Sequence, residues 1–337
     1  MKKVISNPWN VSERDFPATG TLEEQLRFLL NYAILAPSKH NTQPWLFKVY
    51  QDTIELYTDQ SRVLSMVDAE GREMIMSCGA ALANLRVALR YFGFSWLMEV
   101  PSKPGEEQML ARLIIEKGVE PTEEERKLFF AIPQRRTNRR AFSNRPVPAG
   151  LLSRLEEVAG NAGTSLSVIE DEEQRADLAN LILAADRRLW TSQQFRHEMA
   201  EWVHSNESNS PDGIPEYALG KADTTSYLGP LILRSLIDHT DKQPQTRTTP
   251  TLAVLSTVAD TWFDWLSAGL ALENMLLLAR LKGVWASFFS QPTEVPAMRQ
   301  TLRTLLGRTD FPQIVLRLGY ATRVQPTPRR TVDDVVR

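Results

Sequence analysis

The chain has 337 residues, 42% of them apolar, enough for one large compact domain or two smaller ones sharing a core. Thirty-nine basic residues stand against 41 acidic, a formal net charge of −2, so no overall field draws the chain to nucleic acid or to an anionic membrane. Intrinsic disorder is excluded by the same figures, and small-molecule chemistry becomes the leading class.

The amino-terminal stretch, Met1 to Pro8, has a basic end with no apolar run behind it, so an exported protein is not expected and a cytoplasmic one is. Leu266 to Trp285 is the richest apolar stretch, yet Glu273, Asn274, Arg280 and Lys282 interrupt it, and each would be costly at a bilayer centre. Cys78 is the single cysteine, which rules out an internal disulfide.

In chain order, Leu22 to Ala36 carries an apolar stripe at helical spacing behind a Thr21/Glu24 capping box, and Pro37 stops it. Trp45 to Tyr50 and Thr53 to Thr58 alternate as two strands around Gln51-Asp52. Cys78 to Phe92 is predicted helical and Leu110 to Glu116 extended; a second capping box, Thr122 with Glu125, opens a helix ending near Pro133. Leu151 to Ala159 is predicted helical, Ser165 to Ile169 extended, and Glu172 to about Val203 one long amphipathic helix. Ser205 to Gly229 and Asp241 to Pro250 are rich in turn-forming residues and read as surface loops or a lid. Leu252 to Val258 reads as a buried strand, Trp262 to Lys282 as a helix and Pro312 to Tyr320 as a closing strand. Helices and strands without regular alternation indicate an α+β layer fold.

A repeat lies inside the chain. Laying Gly79 to Gly93 over Gly269 to Gly283 matches Gly79, Ala81, Leu82, Asn84, Arg90 and Gly93 with Gly269, Ala271, Leu272, Asn274, Arg280 and Gly283. Two Ala/Leu-rich helices can align by composition alone; duplication is the preferred reading, with residues 1–134 and 135–337 as two related halves. Asn84 and Asn274, at matching places, are expected to be structural.

Two segments could carry chemistry. Ala36-Pro37-Ser38-Lys39-His40-Asn41-Thr42-Gln43-Pro44-Trp45 concentrates a hydroxyl, amides and backbone N–H groups between a helix and a strand, a set that suits a heteroaromatic ring edge and equally an ordinary connection. Arg135 to Phe142 is arginine-rich, with Pro146-Val147-Pro148 behind it; if extended, it sets Arg136, Asn138 and Arg140 on one face. Guanidinium forks match phosphate oxygens, although a basic loop making surface ion pairs has the same composition. His197 and His204 have no third ligand beside them in the sequence and do not suggest a metal; His40 could serve as a proton donor, and a polar loop residue near solvent is the preferred reading. Gly-x-Ser-x-Gly, P-loop and Gly-x-Gly-x-x-Gly motifs are missing from the sequence.

Together, these segments resemble the nitroreductase family, in its duplicated, Acg-like branch. The resemblance runs from about Thr21 to the carboxyl end and includes both Gly-x-Ala-Leu-x-Asn helices and Leu318-Gly319-Tyr320 leading to Pro326-Thr327-Pro328-Arg329-Arg330. It implies a nitroreductase-like fold in which two halves form an intrachain pseudo-dimer around one FMN, the arginine segment coming from one half and the Pro-Ser loop from the other. Arg136 with Arg329 and Arg330 would hold the phosphate, and Thr137, Asn138 and Arg140 would face the ribityl chain and the pyrimidine edge. Pro37, Ser38, Asn41 and Gln43 would line the ring, while backbone groups near Phe289 and Ser290 would approach its redox nitrogen. The flavin would carry the chemistry, so no protein side chain is assigned as catalytic.

Each half carries only one of the two pieces. Ser12 to Phe16 stands where the amino-terminal half would need an arginine segment, and its acidic pair would repel phosphate; Asn161 to Ser165 stands where the second half would need a Pro-Ser loop. One composite site is therefore expected, and a monomer is plausible because fusion supplies both halves. The resemblance further implies NAD(P)H as donor and a nitro compound, quinone or similar electrophile as acceptor, by ping-pong exchange. The alternative is FMN storage with a lid, about 205–229, blocking the site; a flavin-free scaffold is a third reading.

Overall fold

A computed structural model describes residues 7–102, 105, 108–219 and 251–337. The expectations for Met1 to Ser6, for 220–229 of the lid and for the loop from Asp241 to Pro250 lie outside the described residues.

Helix α1, Leu22–Ala33, opens on the expected capping box, with Thr21 and Glu24 each accepting the other's backbone N–H. It buries Leu26, Leu29, Leu30 and Ala33 against a first sheet. That sheet pairs β1, Trp45–Tyr50, with β2, Thr53–Thr58, at the expected bounds. Helix α2, Arg72–Tyr91, starts earlier than its apolar pattern predicts, because Arg72 and Glu73 in its first turn are buried in an ion pair rather than solvated. Strands β3, Phe94–Glu99, and β4, Met109–Lys117, complete an antiparallel sheet of order β1-β2-β4-β3. Helix α3, Glu123–Ala131, follows the second capping box.

The plan then recurs. Helix α4, Ala149–Asn161, leads to β5, Thr164–Ile169. The long helix expected next is two: α5, Glu172–Thr191, and α6, Gln193–Trp202, separated where the Ser192 hydroxyl accepts Phe195 N–H and caps the second. A short parallel pair, β6 (Val203–His204) with β7 (Ile214–Pro215), and one turn of helix, α7 (Glu216–Leu219), give the described part of the expected loop a defined fold. Strand β8, Thr251–Thr257, helix α8, Trp262–Leu281, and β9, Trp285–Phe288, lead through α9, Gln291–Glu294, and α10, Pro296–Leu305, to β10, Phe311–Gly319. The second sheet has order β5-β8-β10-β9, the counterpart of the first strand for strand, and its described pairings are also antiparallel. The last helix, α11 (Val332–Val335), leaves the second sheet and lies on the first: Arg337 N–H bonds Phe47 O.

Helices α2 and α8 form the seam between the sheets. Helix α8 buries residues on all its faces, including Leu266, Leu270, Met275, Leu276 and Leu277, as expected of an apolar helix without a polar face. The seam is close because two glycines permit it: a Cβ on Gly79 would overlap the carbonyl oxygen of Leu266, and one on Gly269 would overlap that of Met76. Each contact lies three residues before the opposite glycine, so the approach is reciprocal. Each buried Leu or Met here contributes about 1.5–3 kcal/mol. Of the expected structural amides, Asn84 donates to Tyr32 O and ties α2 to α1. Among the described residues, no helix is long and apolar enough to cross a membrane.

Candidate functional site

The connection from α1 to β1 is strained. His40, Asn41 and Gln43 all have positive φ (48°, 58° and 52°), which costs a side-chain-bearing residue on the order of 1–3 kcal/mol each and persists only when the surroundings enforce it. The surroundings are identifiable. Ser38 Oγ accepts Gln43 N–H at 2.9 Å; Asn41 Nδ2 donates to Gly213 O and Pro328 O, and its Oδ1 accepts from Arg329 at 2.7 Å. Gln43 is fully buried, donating to Pro211 O and accepting Arg330 N–H at 2.8 Å. The Asn-x-Gln spacing therefore braces the loop against two distant segments, and this leaves Pro37 and Ser38 facing a cleft.

The cleft lies between this loop and the arginine segment. Pro37, Ser38 and Asn41 line one wall, Arg135, Arg136, Thr137, Arg139 and Arg140 another, and Thr327 and Arg329 a third. Five guanidinium groups share this cavity, and no Asp or Glu is among its described lining residues. Burial, then repulsion from Arg135 and Arg323, pushes the Arg136 guanidinium down to about 9; burial and the same kind of repulsion hold Arg329 well below its ordinary value. Trp9 partly shields them, its ring 3.5 Å from the Arg136 guanidinium and 4.8 Å from that of Arg329. Behind the wall, Glu273 lies 3.1 Å from Arg135, and burial raises its carboxyl to about 7.

A second cavity continues from the first, sharing Pro37, Ser38 and Arg139 with it. It is less polar, with Met76, Ala80, Leu272, Phe288 and Ile314 beside Lys39, His40, Glu73 and Ser290. The two enclose about 650 and 680 Å³ of space, open mouths included, the size range of cofactor pockets. A charged compartment thus opens onto an apolar one.

The expected residues divide. Pro37, Ser38, Asn41, Arg136, Thr137, Arg140 and Arg329 line the first cavity and Ser290 the second. Gln43 does not line it, being consumed as a brace. Asn138 is fully buried, donating to Thr322 O and accepting Arg140 N–H, so it shapes the segment from behind. The period-of-two expectation fails because only Thr137 of the segment makes a bridge, to Ala286, and the chain bends at Arg140, whose N–H the Asn138 side chain accepts; Arg139, which that pattern set on the far face, lines both cavities. Arg330 is turned away, bonding Gln43 O, Asp59 and Asp334 O. Phe289 is a core residue whose N–H is taken by Val315 O at 2.8 Å. His40 is buried instead of solvent-facing, and burial with the charges of Lys39 and Arg139 pushes its imidazole well below the ordinary range, so it is neutral at pH 7. His197 faces Glu201 at 3.6 Å and His204 faces Asp212 at 3.7 Å. Sequence reasoning missed Trp9 and Lys39. An aromatic near the amino terminus gave no signal, and Lys39 meets its acidic partners only through the fold.

The described part of the loop after α6 borders the charged cavity. Ile214, Tyr217 and Ala218 line it, Tyr217 Oη donates to Pro326 O at 2.8 Å, and Arg139 donates to Ala218 O.

Comparison with known proteins gives the class. A profile described as "Nitroreductase family" matches residues 132–320. The chain is 31% identical over 325 residues to Rv3131 of Mycobacterium tuberculosis (strain ATCC 25618 / H37Rv), covering 93% of this chain and 91% of that one. It is 29% identical over 324 residues to acg of the same strain, covering 95% and 97%. The names of both relatives carry the term NAD(P)H nitroreductase. Among solved structures, the FMN-dependent nitroreductase NfnB from Mycobacterium smegmatis in complex with NADPH matches with a TM-score of 0.42 and 16% identity, over 64% of this chain and 99% of that chain. The chain belongs to the nitroreductase family.

Proposed function

We propose that this chain binds one FMN in the composite cleft and works as an oxidoreductase, with NAD(P)H as donor and a nitro- or quinone-type electrophile as acceptor. The observation that carries the reading is the set of five arginines around a cavity whose described lining includes no carboxylate. Arg135 and Arg329 are buried and Arg136 half-buried, with Glu273 paired to Arg135; burying such cations is costly unless an anion offsets them, and a phosphate offers oxygens that guanidinium forks bind bidentately. Arg136 and Arg329 would hold that phosphate, with Thr137 and Arg140 nearer the ribityl chain. Pro37, Ser38 and the apolar second cavity suit a flat ring, and Ser290 lines that cavity. When bound, FMN supplies the redox chemistry, accepting two electrons and passing them to a second substrate by ping-pong exchange. The protein's part is to orient the ring, exclude water from the apolar cavity and offset the phosphate's charge.

In this reading residues 1–134 and 135–337 are two copies of one unit fused as a pseudo-dimer, supported by the matching strand orders and the reciprocal glycine contacts. Loop from one and arginines from the other complete the site, so one polypeptide suffices.

FMN storage is the second reading, favoured by one observation: Tyr217 and Ala218 line the charged cavity and are held to its other walls, Tyr217 donating to Pro326 O and Ala218 O accepting from Arg139. One experiment tests both. Purified protein is expected to be yellow and to release FMN on boiling; anaerobic NADPH or NADH should bleach it promptly if it turns over, while colour that persists under both supports storage. Colourless protein that ignores added FMN would reject both.

A further inference from the structure

Along the wall of the apolar cavity, the strained loop places a lysine into a buried acidic cluster. Lys39 Nζ pairs with Glu294 of α9 and lies 3.4 Å from Glu73 of α2. The Glu294 side chain is 2% exposed and that of Glu73 6%, while Lys39 and Glu73 both line the cavity. Arg72 bonds Glu73 at 3.2 Å from the other side, and Asp68 accepts the N–H groups of Glu73 and Met74 at the start of α2. Lys39 and Arg72 thus face Asp68, Glu73 and Glu294, with Glu198 of α6 also acting on Lys39 from α6's side and His40 and Arg139 nearby. The buried carboxylates Asp68, Glu73, Glu198 and Glu294 outnumber the cations Lys39 and Arg72 that face them, leaving negative charge in excess. Such a cluster is stabilised by keeping a proton.

We propose that Lys39 is the proton donor to an electron acceptor bound beside the flavin ring in the apolar cavity, and that Glu294 resupplies it. The proposal rests on reading the cleft as a flavin site. Reduction of a quinone to the hydroquinone needs two electrons and two protons. The acceptor takes a hydride, with both electrons, from the reduced flavin, and its oxygen takes a proton from Lys39 Nζ. The resulting neutral amine recovers a proton from the Glu294 carboxyl, and the Glu294 carboxylate recovers one from water. Burial, opposed by Lys39 and aided by Glu73, pushes the Glu294 carboxyl up to about 7, so about half of the store holds its proton at neutral pH and more of it below.

Holoprotein reduced by light, without nicotinamide, tests the donor. Lys39→Met should slow reoxidation by benzoquinone on the order of a hundredfold, the lower range for a lost general acid. Reoxidation by ferricyanide, which takes electrons without protons, should stay at the wild-type rate. Equal slowing with both acceptors, or with neither, overturns the proposal. A second arm needs no flavin. In flavin-free protein a carboxyl raised from about 4.5 to about 7 costs nothing below pH 4.5 and destabilises progressively as pH rises through 7. Removing it by Glu294→Gln should therefore raise Tm relative to wild type increasingly from pH 5 to pH 8. A Tm difference that stays flat across that range would refute the store whatever the cofactor proves to be.

Discussion

On one side of the α2–α8 seam, Ser77, Ala80 and Phe288 line a cavity that opens onto five arginines. On the other side, Ser267, Leu270 and Met98, their partners when the helix repeat is carried on at the same spacing, line a cavity bounded by Arg86, Glu124, Asn161 and Asn274. The helices are alike and the loops are not. Ile34 to Pro44 separate α1 from β1, whereas only Ala162 and Gly163 separate α4 from β5, too little chain to form a Pro-Ser turn. Where the arginine segment stands on the first side, the chain near Phe16 packs as an aromatic cluster, its ring 4.2 Å from that of Phe92. A shared scaffold thus positions two cavities, and connections outside it decide which one collects positive charge.

The comparison breaks most completely if the scaffold goes. Gly269→Val puts side-chain carbon into the Met76 carbonyl, so urea unfolding should show a loss of about 3 kcal/mol or more. Gly79→Val should do much the same. Gly160, with open space around it in α4, is the control: Gly160→Ala should stabilise by about 0.5–1 kcal/mol. A mild effect at Gly269 would mean that the seam does not fix the two sheets.

Next comes the charge. Arg136→Ala should weaken FMN roughly tenfold to a hundredfold by equilibrium titration, the loss of a charge-assisted contact worth about 1.5–3 kcal/mol. Arg330→Ala should act differently, lowering stability by about 1–3 kcal/mol through its bonds to Gln43, Asp59 and Asp334 while affecting FMN less than Arg136→Ala does. Equal losses of FMN affinity would contradict the assignment of the two. The smallest effect belongs to the other side of the seam: Arg86→Ala should change FMN affinity by less than about twofold, as expected for a distant, independent position. A larger change would show that the second cavity takes part.

Much of the scaffold was legible in the sequence because local physics decides it. Both capping boxes, the β1–β2 hairpin and the glycine-marked helix pair depend on residues close in the chain or on a repeated pattern. Strands β3 and β9 escaped: β9 has four residues, and β3 is an edge strand that leaves Leu97 58% exposed, so neither carries a clean alternation. In the site, the two segments were legible and the direction of their side chains was not. Gln43, Asn138 and Arg330 carry the chemistry of ligands and serve as braces, since their partners lie far off in sequence: Pro211, Thr322 and Asp59. Lys39 escaped for the same reason, with Glu294 and Glu73 arriving from two other elements.

The most direct measurement is a titration of flavin-stripped protein with FMN, followed by calorimetry or by quenching of flavin fluorescence. The account predicts saturation at one FMN per chain in a monomer, with Arg136→Ala shifting that single transition. Two equivalent sites per chain, or no binding at all, would contradict it.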